Sequence, residues 1–422
     1  MSRVGRAVAG ALATVCGVTL LVTPAIAPGA RAADAVACSD GPATLTLERP
    51  PALAQLSAAQ AWQVATGARV VVAVVDSGVD ATSPHLTDAV LPGVDLVGLD
   101  ADTTGQADAL GHGTALAGAI AARKIRGSGV VGLARDAKVL PVRVFYDEGD
   151  RAKDEGVAPT PARIAEGIRW AVDHGAQVVN VSMSTLEDSA NLRGAVEHAA
   201  QEGVLVVASA GNRETADDKG DGPRYPAAYP GVLGVAAVDR DLAPTDASIR
   251  GPQVDVAAPG QDVVSAYPGG GDCVLASDTP SSSFATAYVS AAAALLAERY
   301  PDEDPQQWTY RLEATAARPG ADTRDDSIGW GVIRPDAALA FVDDGTAPGP
   351  TSPTHPRADT APVDLGSVAV VEDVDPLAGA SSSSAWWLLV AAAAVTSCSL
   401  AWRLVRPARA RARAGARGPV PR

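Results

Sequence analysis

VVVAVVDSGVD, residues 70–80, opens on six consecutive apolar residues and closes on a turn. A run that short, without polar alternation, fits a strand buried on both faces, as in the centre of a parallel sheet. Runs of the same kind recur at 138–145 (KVLPVRVF), 176–183 (AQVVNVSM), 204–210 (VLVVASA) and 232–238 (VLGVAAV), with helical stretches at 114–124, 162–174 and 190–202. The alternation predicts an α/β fold: a doubly wound, mostly parallel sheet flanked by helices, with ligand sites beyond the carboxyl ends of its strands. Asp76 stands at one such end. Aromatic content is only 4% and Ala, Val and Gly abound, which suits a sheet closely covered by helices.

Outward from this core the composition changes. Ten of the 34 basic residues fall in 1–33 and 385–422, which hold no acid, so the middle of the chain sets 24 basic residues against 49 acidic ones. A body that acidic argues against nucleic-acid binding. Residues 1–32 have a basic start, an apolar core and small-residue cleavage candidates after Ala27 or Ala32, the pattern of a secretory signal peptide. AWWLLVAAAAVTSCSLAWRLV (385–405) would span roughly 31 Å as a helix, about one bilayer core. Tryptophans sit at its edges, and the basic tail 406–422 follows. The expectation is a single span with the C-terminus cytoplasmic and everything before it outside. A buried core helix is the other reading. Residues 344–384, rich in Pro, Ser, Asp and Thr, read as a linker.

Between leader and sheet, 33–60 is a short extension running into LAQLSAAQAWQVATG, an amphipathic patch with Leu53, Leu56 and Trp62 as core contacts. Residues 61–343 are then the main domain, with 146–160 and 213–224 as hydrophilic loops. Of four cysteines, Cys16 leaves with the leader and Cys398 lies in the span. Cys38 and Cys273 both lie outside, where an oxidising compartment makes them a disulfide pair; two unpaired thiols is the alternative.

Three short motifs carry chemistry. Asp76 in DSGVD reads on its own as a turn residue. In DALGHGTALAGAIAARK (108–124), His112 lies between two glycines at a helix mouth, a frame the other four histidines lack. TPSSSFATAYVSAAAALLAERY (279–300) brings a hydroxyl cluster into an Ala/Leu-rich helix with one apolar face. A serine there is either an N-cap or a nucleophile whose oxyanion sits in the field of the helix N-terminus. Together the motifs give the order Asp, His, Ser.

DSGVD, GHGTALAG and SSSFATAYVS, with VVASAGN (206–212) between the last two, resemble in type and separation the signatures of the subtilisin-type (subtilase, peptidase S8) serine peptidases. VVGLARDAKVLPVRV and DVAAPGQDVVSAYPGG also lie where that family has them, and the resemblance covers roughly 52–342. It implies Ser283 as nucleophile, His112 as general base and acid, Asp76 as the group orienting the imidazole, and the Asn212 amide as an oxyanion donor. In VNVSMST it implies a strand that pairs with an extended substrate, placing Ser182, Met183 and Ser184 by the specificity pocket; an ordinary core strand is the other reading. The chain departs from the family at Ser281-Ser282, usually Gly-Thr, at Ala287 and Ala291, usually Pro and Gly, and at Ser184, commonly Gly. Register to Phe284-Ala285 selects Ser283 among the three serines.

Leader, short extension, peptidase domain, linker, span and basic tail together resemble the mycosins, membrane-anchored peptidases of type VII secretion. That resemblance implies exported proteins as substrates and the secretion complex as partner. It leaves two functions open, a tethered endopeptidase and a structural subunit with dispensable proteolysis, beside a general nutrient-degrading peptidase. No cofactor is expected, and no acidic cluster has metal-ligand spacing.

Overall fold

The computed structural model describes Cys38 and residues 44–99, 101–216, 218–356 and 386–403. The expected signal peptide, most of the linker and the basic tail lie outside these residues. Two units separate at residue 358. The first contains, in chain order, α1 (Pro51–Gln55), α2 (Ala58–Ala61), β1 (Val71–Asp76), β2 (Val94–Asp95), α3 (His112–Ala121), β3 (Lys138–Arg143), α4 (Asp150–Asp154), α5 (Pro161–Asp173), β4 (Val178–Val181), α6 (Ala190–Gln201), β5 (Leu205–Ser209), β6 (Val232–Val238), β7 (Val256–Pro259), β8 (Val263–Ala266), β9 (Asp272–Leu275), α7 (Ser282–Arg299), α8 (Pro305–Thr315) and α9 (Pro335–Ala340). The second contains α10, Trp386–Arg403, an apolar helix long enough to cross a membrane.

Seven strands form a parallel sheet in the order β2-β3-β1-β4-β5-β6-β7, and β8 and β9 form a separate antiparallel hairpin. Alternate residues of the central strands serve opposite faces. Val72 and Val74 face α3 and α7, packing with Leu116, Ile120, Val289 and Leu296. Ala73 and Val75 face α5 and α6, with Ile164, Ile168 and Leu192. Each fully buried aliphatic side chain of this kind contributes about 1.5–3 kcal/mol. The doubly wound α/β sheet read from the sequence is therefore present.

One local expectation, the apolar face of 279–300, is met and exceeded, and another needs correction. α7 has no exposed polar face, because every residue from Ser282 to Ala297 is buried. Its alanines let neighbouring elements close in where a larger side chain would hold them off, so the spacing of its large residues does not mark a boundary with solvent. The hydrophilic segment 146–160 is not all loop, since it contains α4, whose last turn is tied by an Arg151–Glu155 pair of 2.8 Å.

Register puts functional residues level. Val75 lies opposite Val181, and Val181 opposite Ala208. Asp76, Ser182 and Ser209, one step further on, therefore emerge together at the carboxyl edge where β1 sits between β3 and β4, the kind of switch point at which α/β sheets hold ligands.

The extension is fastened to the β8–β9 hairpin. Cys38 and Cys273 form a disulfide with Cα atoms 5.2 Å apart. The neighbouring Asp272 accepts from Thr46 N (2.8 Å) and Ser128 Oγ (2.7 Å) and bonds His85 Nε2 at 2.9 Å. His85 Nδ1 donates to the Arg123 carbonyl, so this fully buried histidine is structural. Leu53 and Leu56 join the core as expected, although Ser57, in a left-handed conformation, splits their helix in two. At the other end of the unit, Ser352 Oγ and Thr354 Oγ1 donate to Asp343, holding the first residues of the Pro/Ser-rich segment to the domain.

Candidate active site

His112 begins α3 because Gly111, at φ 86°, turns the chain into it. Gly113 must also be glycine, since a Cβ there would collide with the Gly78 carbonyl. The imidazole is thereby delivered to β1: His112 Nδ1 lies 2.8 Å from Asp76 Oδ1. Asp76 is fully buried, and its Oδ1 also accepts from Ser77 N at 2.8 Å and Ser77 Oγ at 3.2 Å, whereas its Oδ2 has no partner among the described residues. The His112 side chain keeps 26% exposure, on the cleft side.

Asp108 organises this corner and was not foreseen from the sequence. Its Oδ1 accepts from Ser77 Oγ (2.9 Å), Leu110 N (3.1 Å) and Gly111 N (2.8 Å), and its Oδ2 from Thr114 N (2.8 Å) and Thr114 Oγ1 (2.6 Å). Burial pushes its carboxyl up, against the pull of these donors. One carboxylate thus fixes Gly111 before His112, Thr114 after it, and Ser77, the residue after Asp76. Its spacing, four residues before His112, is the only trace it leaves in the sequence.

Ser283 comes to the same edge at the mouth of α7. Its Oγ donates to the Ser182 carbonyl at 3.0 Å, and Ser182 Oγ donates to the Ser283 carbonyl at 2.9 Å. Asn180, fully buried, extends the tie by donating to Ser182 Oγ (2.9 Å) and accepting from Ser290 Oγ (3.0 Å). The three serines have separate places. Ser281 is the N-cap of α7. Ser282 is fully buried, its Oγ donating to Asn212 Oδ1 at 2.9 Å and lying 2.6 Å from Ser209 Oγ. Ser283 faces the cleft. Ser282 N also donates to Asn212 Oδ1, at 2.7 Å, which turns the Asn212 Nδ2 away from it and toward Ser281 Oγ at 3.5 Å.

A cleft of about 810 Å³ is lined by His112, Ser283, Asn212 and the Ser182–Ser184 edge, with Asp76 behind His112 and reached through its bond to the ring. Its walls add Glu148, from the 146–160 segment, and Arg224. The Arg224 guanidinium is buried and, among the described residues, bonds the backbone carbonyls of Asp218, Gly220, Gly222 and Pro223. Its stem and the Ser184 hydroxyl converge on Gly211, where a Cβ would lie 3.4 Å from Arg224 Cγ and 2.9 Å from Ser184 Oγ.

Burial works against a charged His112, but Asp76, through charge and hydrogen bond, and the carboxylates of Glu148 and Asp108 outweigh it and raise the imidazole to about 9. Ser283 Oγ, for its part, donates to the Ser182 carbonyl. The sign of the pH dependence follows. The ion pair stabilises the fold in full below the ordinary value of 6.5 and is lost as pH rises through about 9. Over the same window the ring gains the lone pair a general base needs. Peptide hydrolysis is expected to climb with pH and level off above about 9. Glu148→Gln, which removes one of the negative charges facing the ring, is expected to move that rise to lower pH. Superimposable pH profiles of kcat/KM for the two proteins would detach Glu148 from the imidazole.

The Subtilase family pattern (Peptidase_S8) matches residues 67–331. Mycosin-1 of Mycobacterium tuberculosis is 36% identical over 400 residues, covering 82% of this chain and 87% of its own length. Fervidolysin of Fervidobacterium pennivorans is 35% identical over 302 residues, 66% of this chain and 42% of its own length. Among solved structures, MycP1 from Mycobacterium smegmatis superposes with a TM-score of 0.63 at 32% identity, over 76% of this chain and 92% of that one. MycP3 from the type VII (ESX-3) secretion system superposes with a TM-score of 0.61 at 29% identity, over 73% and 91%.

Proposed function

The chain belongs to the subtilase family and is a serine endopeptidase, and from that premise we propose that Ser283, His112 and Asp76 form its triad. The observation that carries the reading is the 2.8 Å bond from His112 Nδ1 to a fully buried Asp76, made at the rim of the cleft that Ser283 lines. Ser283 Oγ attacks the scissile carbonyl as His112 Nε2 takes its proton, and the imidazolium then protonates the leaving amine. Asp76 holds Nδ1–H and balances the positive ring. The Asn212 amide and the Ser283 backbone N–H receive the oxyanion, and an extended substrate pairs with the Ser182–Ser184 edge.

The substrates in this reading are proteins exported past a membrane. The chain is anchored by α10 as a single span, its catalytic unit outside and its C-terminus cytoplasmic. The partner is a type VII secretion complex like those to which MycP1 and MycP3 belong. The Cys38–Cys273 disulfide supports the outside placement, because such bonds persist in oxidising compartments. A second reading, a mainly structural subunit of the same complex, draws on the serines standing at Ser281 and Ser282.

Treating the full chain in detergent with an alkyl fluorophosphonate, followed by peptide mapping, separates the two. A single adduct on Ser283, absent after heat denaturation, is the expected result. A folded chain without any adduct would leave only the structural role.

A further inference from the structure

The two donors assigned to the oxyanion already share an acceptor. Ser281 Oγ accepts from Ser283 N at 3.3 Å and faces Asn212 Nδ2 at 3.5 Å. The first contact alone is an ordinary N-cap. The second is not, because Asn212 lies outside the helix, at the end of β5, and nothing in capping recruits it. An oxygen that two convergent N–H groups both reach stands where a substrate's carbonyl oxygen would stand. Its main chain is pinned there, Ser281 N donating to the Gly260 carbonyl at 2.9 Å, so only side-chain rotation can remove the hydroxyl.

We propose that Ser281 Oγ is a built-in occupant of the oxyanion site, a self-ligand that substrate must rotate aside before the carbonyl can be polarised. This rests on the triad reading above. Its bonds, at 3.3 and 3.5 Å, are longer than the ~2.7–3.1 Å of donors aligned on an oxyanion, so the hydroxyl is held weakly enough to be displaced. A glycine or alanine in its place would leave Ser283 N and Asn212 Nδ2 without a protein acceptor, open to the incoming oxygen.

The test is the rate at which the full chain in detergent is labelled on Ser283 by the alkyl fluorophosphonate, whose phosphoryl oxygen uses the same donors. Ser281→Ala is expected to label about five- to tenfold faster, the gain from removing one weak competing hydrogen bond. Ser281→Thr, which keeps a hydroxyl on the same carbon, should stay near the native rate. A residue that merely caps α7 gives the opposite outcome: Ser281→Ala lowers the melting temperature and labels no faster, or more slowly, and the proposal falls. If neither the native chain nor any variant labels on Ser283, the nucleophile assignment fails and this inference fails with it. Labelling of the native chain without acceleration in Ser281→Ala overturns this inference alone.

Discussion

Ser283→Ala is expected to lower kcat by about a millionfold, the scale reported for the nucleophile of subtilisin itself, with little change in KM. The neighbouring hydroxyls cannot rescue it. Ser282 Oγ is sealed between Asn212 and Ser209, and Ser281 Oγ is directed at the Ser283 N–H. Adding His112→Ala to Ser283→Ala should cost almost nothing more, because a base without a nucleophile has no proton to take. The fold should tolerate the first change, whose loss is one hydroxyl bond to the Ser182 carbonyl, about 1 kcal/mol. Hydrolysis of a chromogenic peptide by the single and double variants, with denaturant melts alongside, checks both statements. Additive losses would mean the two residues do not act on one step.

Asp76→Asn is expected to lower kcat by about ten-thousandfold. The local bonding decides how. Ser77 N–H and His112 Nδ1 both need an acceptor at Oδ1, so the asparagine oxygen takes that place and its NH2 falls at Oδ2, which is buried and has no partner among the described residues. The ring orientation survives, while the charge that stabilises the imidazolium is gone. A buried unpaired amide also costs about 1–3 kcal/mol of stability. The activity that remains should lose its alkaline rise, since the chief cause of the raised His112 value has been removed. A variant with native kcat and an unmoved pH profile would exclude Asp76 from the mechanism.

How far these features could be read beforehand depended on what each rests upon. β1, β4, β5 and β6 were legible because a strand buried on both faces leaves an unbroken apolar run. Asp76, His112, Asn212 and Ser283 were legible because each sits in a short motif tied to a strand end or helix mouth. The β8–β9 hairpin was not, since β9, DCVL, opens on a charged residue and belongs to no longer apolar run. α4 was masked by its hydrophilic composition. Asp108 and Glu148 owe their roles to what folding sets opposite them, and one carboxylate in a polar stretch looks like another. The departure from glycine at Ser281 was visible in the sequence. That its hydroxyl turns toward Asn212 is a matter of side-chain rotation, which no sequence pattern encodes.

The all-round burial of α7 bears on how this molecule withstands its own activity. Copies of a peptidase meet one another, and a copy can be cut only where its backbone can extend into another's cleft. α7 could do so only by opening the core on all sides, at close to the full cost of unfolding. The hydrophilic segments 146–160 and 213–224, both bordering the cleft, can open at far smaller cost. Self-digestion should therefore erode the rim that chooses substrates while the helix carrying Ser283 is still intact, so that an ageing preparation changes its selectivity before it loses its reactive serine.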